Sequence, residues 1–400
     1  MEPIMHLSVR ICMVLVVCVG VVLRAQAAPF VPESDSQVLE RLPFTASDPV
    51  IRELRALHDR LKDEPNNLPL ALRLARGYLE LGRVTGDPRY AGYAQAALAP
   101  WWDLKQAPEE VLVLRATLRQ RLHQFDAALA DLGAVLNANP RNAQARLTRA
   151  TVLQVQGAYD AAREECLTLR NLTQELAGTA CLTNVNAATG ELRESYVQLR
   201  TALDRQLHVQ PEVRVWVLTS LAEMAARAGM AVDAQGHFRE ALALDAADNY
   251  LLGAYADFLL DFGQPQEAAA LLQDKTRADP LLLRYALALK MQRSKELSAQ
   301  VDQLRDRFEA CRLRGDRVHI REEARFTLHL LNDPKTALKL AEENWQVQKE
   351  PADIRILLES ALAAHDVMSL ESARGWLKQT GLEDLQLLQL EKLLKPLQPN

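Results

Sequence analysis

Aromatic residues make up only 5% of this 400-residue chain, and cysteine occurs five times. Aromatic and β-branched strands of a sandwich are therefore not written into it, and neither is a disulfide framework. Beyond residue 23 no stretch approaches 18 uninterrupted apolar residues, which argues against a membrane span in the rest of the chain. Positive charge is not in excess either, with 47 Lys and Arg against 52 Asp and Glu, so there is no electrostatic case for nucleic acid. Zinc-protease, nucleotide-loop and nucleophile-elbow signatures are missing. His58, His123, His208, His237, His319, His329 and His365 include no i, i+4 pair that would suggest a metal site. The expectation is a chain with no catalytic constellation, no metal and no cofactor.

What is present begins with a targeting pattern at the N-terminus. Arg10 precedes the apolar stretch Ile11 to Leu23, and Ala25-Gln26-Ala27 offers the small-x-small pattern of a cleavage site. Residues 1–27 thus read as a signal peptide, with an uncleaved anchor as the alternative. Removing them leaves 45 basic and 51 acidic residues, a formal charge of -6. Export places the chain in a periplasm if the cell is Gram-negative, and otherwise outside it. Residues 28–49, with Pro29, Pro32, Pro43 and Pro49, read as an extended leader.

Self-similarity then decides the architecture. An offset of 34 relates Ala116 to Ala150, Phe125 to Tyr159 and Ala128 to Ala162, and again Ala222 to Ala256, Gly229 to Gly263 and Ala234 to Ala268. In each unit a small residue lies in a first amphipathic segment, a turn signal follows, and a second small residue comes after it. Two antiparallel helices approach closely only where both present Ala or Gly, so the pattern predicts repeated helix pairs.

On these residues, with Pro140 and Pro280 closing two units, the chain resembles the tetratricopeptide-repeat family. The resemblance implies an all-α, right-handed solenoid of stacked antiparallel helix pairs. It is clearest over 109–282, with units starting near Glu109, Ala143, Leu176, Val215 and Asn249, and the whole repeat region is taken as 50–282. Degenerate helical repeats fill 283–400, ending in a capping helix over Leu382 to Leu394. In 295–313, Leu297, Val301, Leu304, Phe308 and Cys311 form an apolar stripe that either packs on the preceding repeat or is a seam for self-assembly. Cys166 and Cys181 fall on neighbouring helices, where they are either a disulfide or two buried thiols.

The resemblance also implies that first helices line the concave face and hold a partner there. Their inward stripe is neutral to acidic and lacks the basic cluster of a carboxylate clamp. Asn184, Trp216, Thr219, Glu223, Arg227, Tyr250 and Asp257 form the candidate partner-binding groove, because aromatics beside hydrogen-bonding groups anchor peptides; the alternative is that Trp216 and Tyr250 only begin their helices and pack on neighbours. The expected function is a non-catalytic protein-interaction scaffold of the cell envelope with a protein or peptide partner. The alternative is a structural subunit assembling through its end helices.

Overall fold

The computed structural model describes residues 34, 44, 45 and 47–394, except 173, 174 and 207, so the signal-peptide reading and nearly all of the leader lie outside the described residues. Residues 1–48 form a unit distinct from 49–400, and only the second is described further. Its elements are all helical. A leading helix, α1 (Pro49–Asp63), packs on the first pair, α2 (Leu68–Thr85) and α3 (Arg89–Ala97), and the single turn α4 (Ala99–Trp102) follows. Then come α5 (Glu109–Arg121) with α6 (Phe125–Ala138), α7 (Ala143–Val155) with α8 (Tyr159–Leu172), α9 (Glu175–Ala187) with α10 (Leu192–Asp204), and α11 (Pro211–Arg227) with α12 (Ala231–Leu244). The later pairs are α13 (Asn249–Asp261) with α14 (Pro265–Leu272), α15 (Asp279–Met291) with α16 (Leu297–Leu313), α17 (Ile320–His329) with α18 (Pro334–Val347), and α19 (Pro351–Ala364) with α20 (Val367–Thr380). The last helix, α21 (Leu385–Leu394), covers the end.

The small residues do what their spacing requires. Ala116, Ala128, Ala222, Ala234, Ala256 and Ala268 have no exposed surface, and so do Ala324, Ala337 and Ala361 in the degenerate pairs. Asn67, Asn142, Asp248, Asp333 and Asp366 start their helices by accepting a hydrogen bond from the amide three residues on, which satisfies an orphan donor of the first turn. Each pair reverses direction at one left-handed residue. Gly86, Gly157, Gly190, Gly229 and Gly263 serve five pairs, and His123, Arg293, Asn332 and His365 serve the others. The first helix of the first pair, α2, is long and runs on to Thr85.

Cys166 on α8 and Cys181 on α9 are joined as a disulfide, which resolves the two readings of that pair. The apolar stripe of α16 is used inside the chain: Leu304, Phe308 and Cys311 are buried, and Leu304 and Phe308 share a core with Leu282, Leu283, Ala286 and Phe326.

Successive first helices touch one another while second helices pack chiefly on first helices, so the curvature places the first helices on the inside. The coil advances until its turns meet. Gly86 lies against Ala278, Gly157 against Lys349, Gly190 against Gly381 and Gly229 against Leu385. The turns of α2–α3 and α7–α8 therefore rest on the loops that lead into α15 and α19, and those of α9–α10 and α11–α12 on the approach to and the start of α21. At Gly190 (φ +92°) a Cβ would stand 3.3 Å from the Gly381 carbonyl oxygen, so the seam needs glycine for both backbone conformation and space. The Lys349 amide donates to the Val155 carbonyl at 2.7 Å, and the Tyr159 hydroxyl donates to the Lys349 carbonyl at 2.9 Å.

Two helical glycines separate close approach from mere flexibility. At Gly178 a Cβ would stand 2.3 Å from the Arg170 Cα, whereas at Gly236 nothing lies within 4 Å. Gly178→Ala is expected to destabilise the chain by about 2–3 kcal/mol through overpacking, and Gly236→Ala to stabilise it by roughly 0.5–1 kcal/mol through helix propensity. Urea midpoints of the two variants check this; shifts of the same sign would contradict the packing described.

Candidate functional site

The concave side is built from the inward stripes of α11, α13, α15, α17 and α19. Glu223 on α11 accepts a hydrogen bond from the Tyr250 hydroxyl of α13 at 2.8 Å. The ring of Tyr250 is 66% exposed, the most open aromatic side chain of the solenoid. Two helical turns on, Asp257 receives Arg284 at 2.6 Å and Arg325 at 2.9 Å, from α15 and α17. Asp261 receives Arg355 of α19 at 2.7 Å, and Arg355 also bonds Glu359 at 2.7 Å, which His329 reaches at 2.9 Å. Arg321 bonds Glu350 at 3.0 Å and approaches the fully buried Asp353 at 3.4 Å.

Arg227 closes the far side. Its guanidinium donates to the carbonyls of Ala187 and Glu383, tying α11 to α9 and to the entry of α21. The remaining sequence candidates are placed differently. Asn184 donates to the Ser220 hydroxyl at 3.2 Å. Trp216 is half-buried against the central core, and Thr219 is buried and donates to the Val215 carbonyl at 2.8 Å. The structure thus brings Glu223, Tyr250 and Asp257 onto the open concave face with Arg227 at its edge, while Trp216 and Thr219 face their own packing.

The arginines of this face lie on the first helices that follow Asn249's unit. The neutral-to-acidic stripe expected up to α13 does not continue: Arg284, Arg321, Arg325 and Arg355 all stand on this face, each matched by a carboxylate. Their register was available. Counting back from the left-handed turn residue, Thr219, Gly253 and Arg355 occupy one place on the first helix, and Glu223, Asp257 and Glu359 occupy another. Arg321 and Arg325 take the same two places one residue further back from Asn332.

Burial and pairing pull these groups in opposite directions. Burial raises the Glu223 carboxyl to about 7, and the Tyr250 hydrogen bond offsets this only in part. Tyr250 is in turn held well above its ordinary value, first by the charge of Glu223 and then by burial. The residue itself stays open to solvent, and its hydroxyl lies in the field of Glu223, Glu350 and Arg321. Burial would also raise Asp257, but Arg284 and Arg325 outweigh it and hold the group below the usual carboxylate range. Against the same burial, His329 and Arg355 bring Glu359 down to about 2, and Arg321 brings Glu322 down to about 2. Among the described residues no group of three or more His, Cys, Asp or Glu could hold a metal ion, and no helix is long and apolar enough to cross a membrane.

Neither a scan of family models nor a search of curated proteins returns a match. Among solved structures the chain is similar to a tetratricopeptide repeat protein from Parabacteroides merdae, at 15% identity over 60% of this chain and 92% of that one, with a TM-score of 0.43. It is similar also to IFIT1, a monomeric mutant with Gppp-AAAA, at 15% identity over 88% and 86%, TM-score 0.43. Yeast Tom70 shares 12% identity over 86% and 95%, TM-score 0.36. These likenesses concern the fold alone. The deciding observation is the chain's own, helix pairs that each turn at one left-handed residue and meet at buried alanines, with a 34-residue register from Ala116 to Ala162 and from Ala222 to Ala268. The fold is a tetratricopeptide-type solenoid.

Glu223 gives a pH test of this face. Its folded value of about 7 lies above the ordinary 4.5, so the folded solenoid binds the extra proton between those values. The contribution is fully present below the ordinary value and is lost as pH rises through the folded one. Glu223→Gln is expected to flatten the decline of stability between pH 5 and 8, read as urea midpoints. An unchanged slope would mean that Glu223 is an ordinary surface carboxylate.

Proposed function

We propose that this solenoid is a non-catalytic interaction scaffold, exported from the cytoplasm, that holds an extended segment of a partner protein along its concave face. The reading rests chiefly on Tyr250, an open aromatic ring whose hydroxyl is fixed by Glu223 on an otherwise charged, ion-paired surface. A rigid amphipathic ring loses little conformational entropy on binding, and fixed hydrogen-bonding groups around it supply direction. Glu223, Asp257 and the edge residue Arg227 are the neighbouring contacts, with Asn184 and Thr219 at the side of the stripe and Trp216 supporting the helix from beneath. Export is favoured by the pattern of residues 1–27 and by the Cys166–Cys181 disulfide, since such bonds persist in oxidising compartments. Periplasm or the cell exterior follows from the kind of cell.

A random peptide library displayed on phage and panned against the purified full chain tests this. Linear sequences are expected to enrich and to bind with micromolar Kd, and Tyr250→Ala is expected to weaken them about tenfold with helical circular dichroism unchanged. Absence of enrichment, or equal binding by the Tyr250→Ala chain, would contradict segment binding on this face.

A further inference from the structure

The seam between the turns of the solenoid is not uniform. At its C-terminal end it is dry and partly backbone. Trp376 and Leu382 join the core formed by Ala150, Tyr159, Cys166 and Leu169, the Tyr159 and Trp376 rings lie 6.5 Å apart, and the Lys349 main chain is bonded on both its amide and its carbonyl. The Leu192 amide adds a bond to Glu383 at 3.2 Å.

At the N-terminal end the same seam is almost entirely ionic. Arg83, at the end of α2, reaches Asp245 at 2.9 Å and Asp248 at 2.7 Å, and Asn249 donates to the Arg83 carbonyl at 2.6 Å. Arg277 meets Asp87, whose side chain is buried, at 3.3 Å, and Gly86 makes a small contact on Ala278. Arg83, Asp245 and Asp248 keep 30%, 26% and 19% of their side-chain surface accessible, so water and salt reach these pairs. Accessible ion pairs contribute little and are screened by salt, whereas a shared apolar core is not. The clasped residues Asp245, Asp248 and Asn249 lead directly into α13, whose second residue is Tyr250.

We infer that the first helix pair is an ionic latch: the seam opens at Arg83 while its C-terminal end stays shut, and opening frees the Asp245–Asn249 segment that leads into α13 and Tyr250. The lifted element is the α1–α3 unit, joined to the rest through α4 and α5. Its opening is regulation of the site proposed above and rests on that reading for its purpose, but the motion itself is measurable with no partner present.

Double electron–electron resonance on the full chain tests the latch, in a Cys311→Ala background. One spin-label pair, at Lys62→Cys and Gln273→Cys, spans the N-terminal seam, and a second, at Asp160→Cys and Gln346→Cys, spans the C-terminal one. Raising NaCl from low to molar concentration is expected to add a longer distance to the first pair. Arg83→Ala is expected to raise that longer population about fivefold at low salt, with the second pair keeping one narrow distance throughout. A single unchanged distance for the first pair in molar salt and in Arg83→Ala would overturn the proposal, and so would broadening of both pairs together. The salt series on the chain with native Arg83 decides the matter even if Arg83→Ala does not fold. Loss of the latch with peptide binding intact, and the reverse, are separate results, because the library measurement does not depend on these distances.

Discussion

The close approach of backbone to backbone where one turn of the solenoid rests on the next is the constraint on which the rest depends. Within a pair, alanine facing alanine sets the helix spacing, and that would equally build an open spring. What closes the coil is the placement of left-handed turns against later loops, at Gly157 on Lys349, Gly190 on Gly381 and Gly229 on Leu385. A side chain at Gly190 would push against a carbonyl that has no rotamer with which to yield. Because the turns meet, the first helices of α11 to α19 present one continuous inner surface.

That inner surface carries charge in balanced sets. Asp257 between two arginines and Arg355 between two carboxylates are arrangements that lose heavily if one member is removed, since the remaining charge keeps its desolvation cost without its partner. Such sets favour one stacking geometry over its neighbours more than they add stability. They also join pairs that the apolar cores treat separately: Asp257 and Asp261 of α13 receive arginines from α15, α17 and α19. Glu223 stands apart from this balance. It accepts a hydrogen bond from a phenol, and burial, outweighing that bond and the charge of Arg227, raises its carboxyl.

The repeat, the helix pairs and their buried alanines were legible in the sequence because packing distance forces small residues into a fixed period. The pairs beyond Pro280 were legible as helices, with Pro334 opening α18 as its missing amide permits. Their inward residues were not, because Arg293, Asn332 and His365 turn the chain where glycine does so earlier, and the anchor for counting the stripe was hidden. Tyr250 and Glu223 were found by register, but Trp216, at the equivalent place to Tyr250, packs against the core, which periodicity does not distinguish from an open anchor. The seam was out of reach, since it joins residues such as Val155 and Lys349 whose separation reflects the pitch of the coil and no local pattern.

The amide of Lys349 tests the closed coil most directly, because it sits in a loop and its bond is to the Val155 carbonyl of the preceding turn. Hydrogen exchange of the full chain, resolved to the segment around Gln348–Pro351, reads that bond. With the turns stacked, this amide exchanges about a hundredfold or more slowly than an unprotected loop amide. Exchange at the unprotected rate, with the flanking helices α18 and α19 still protected, would show an open spring and contradict the account.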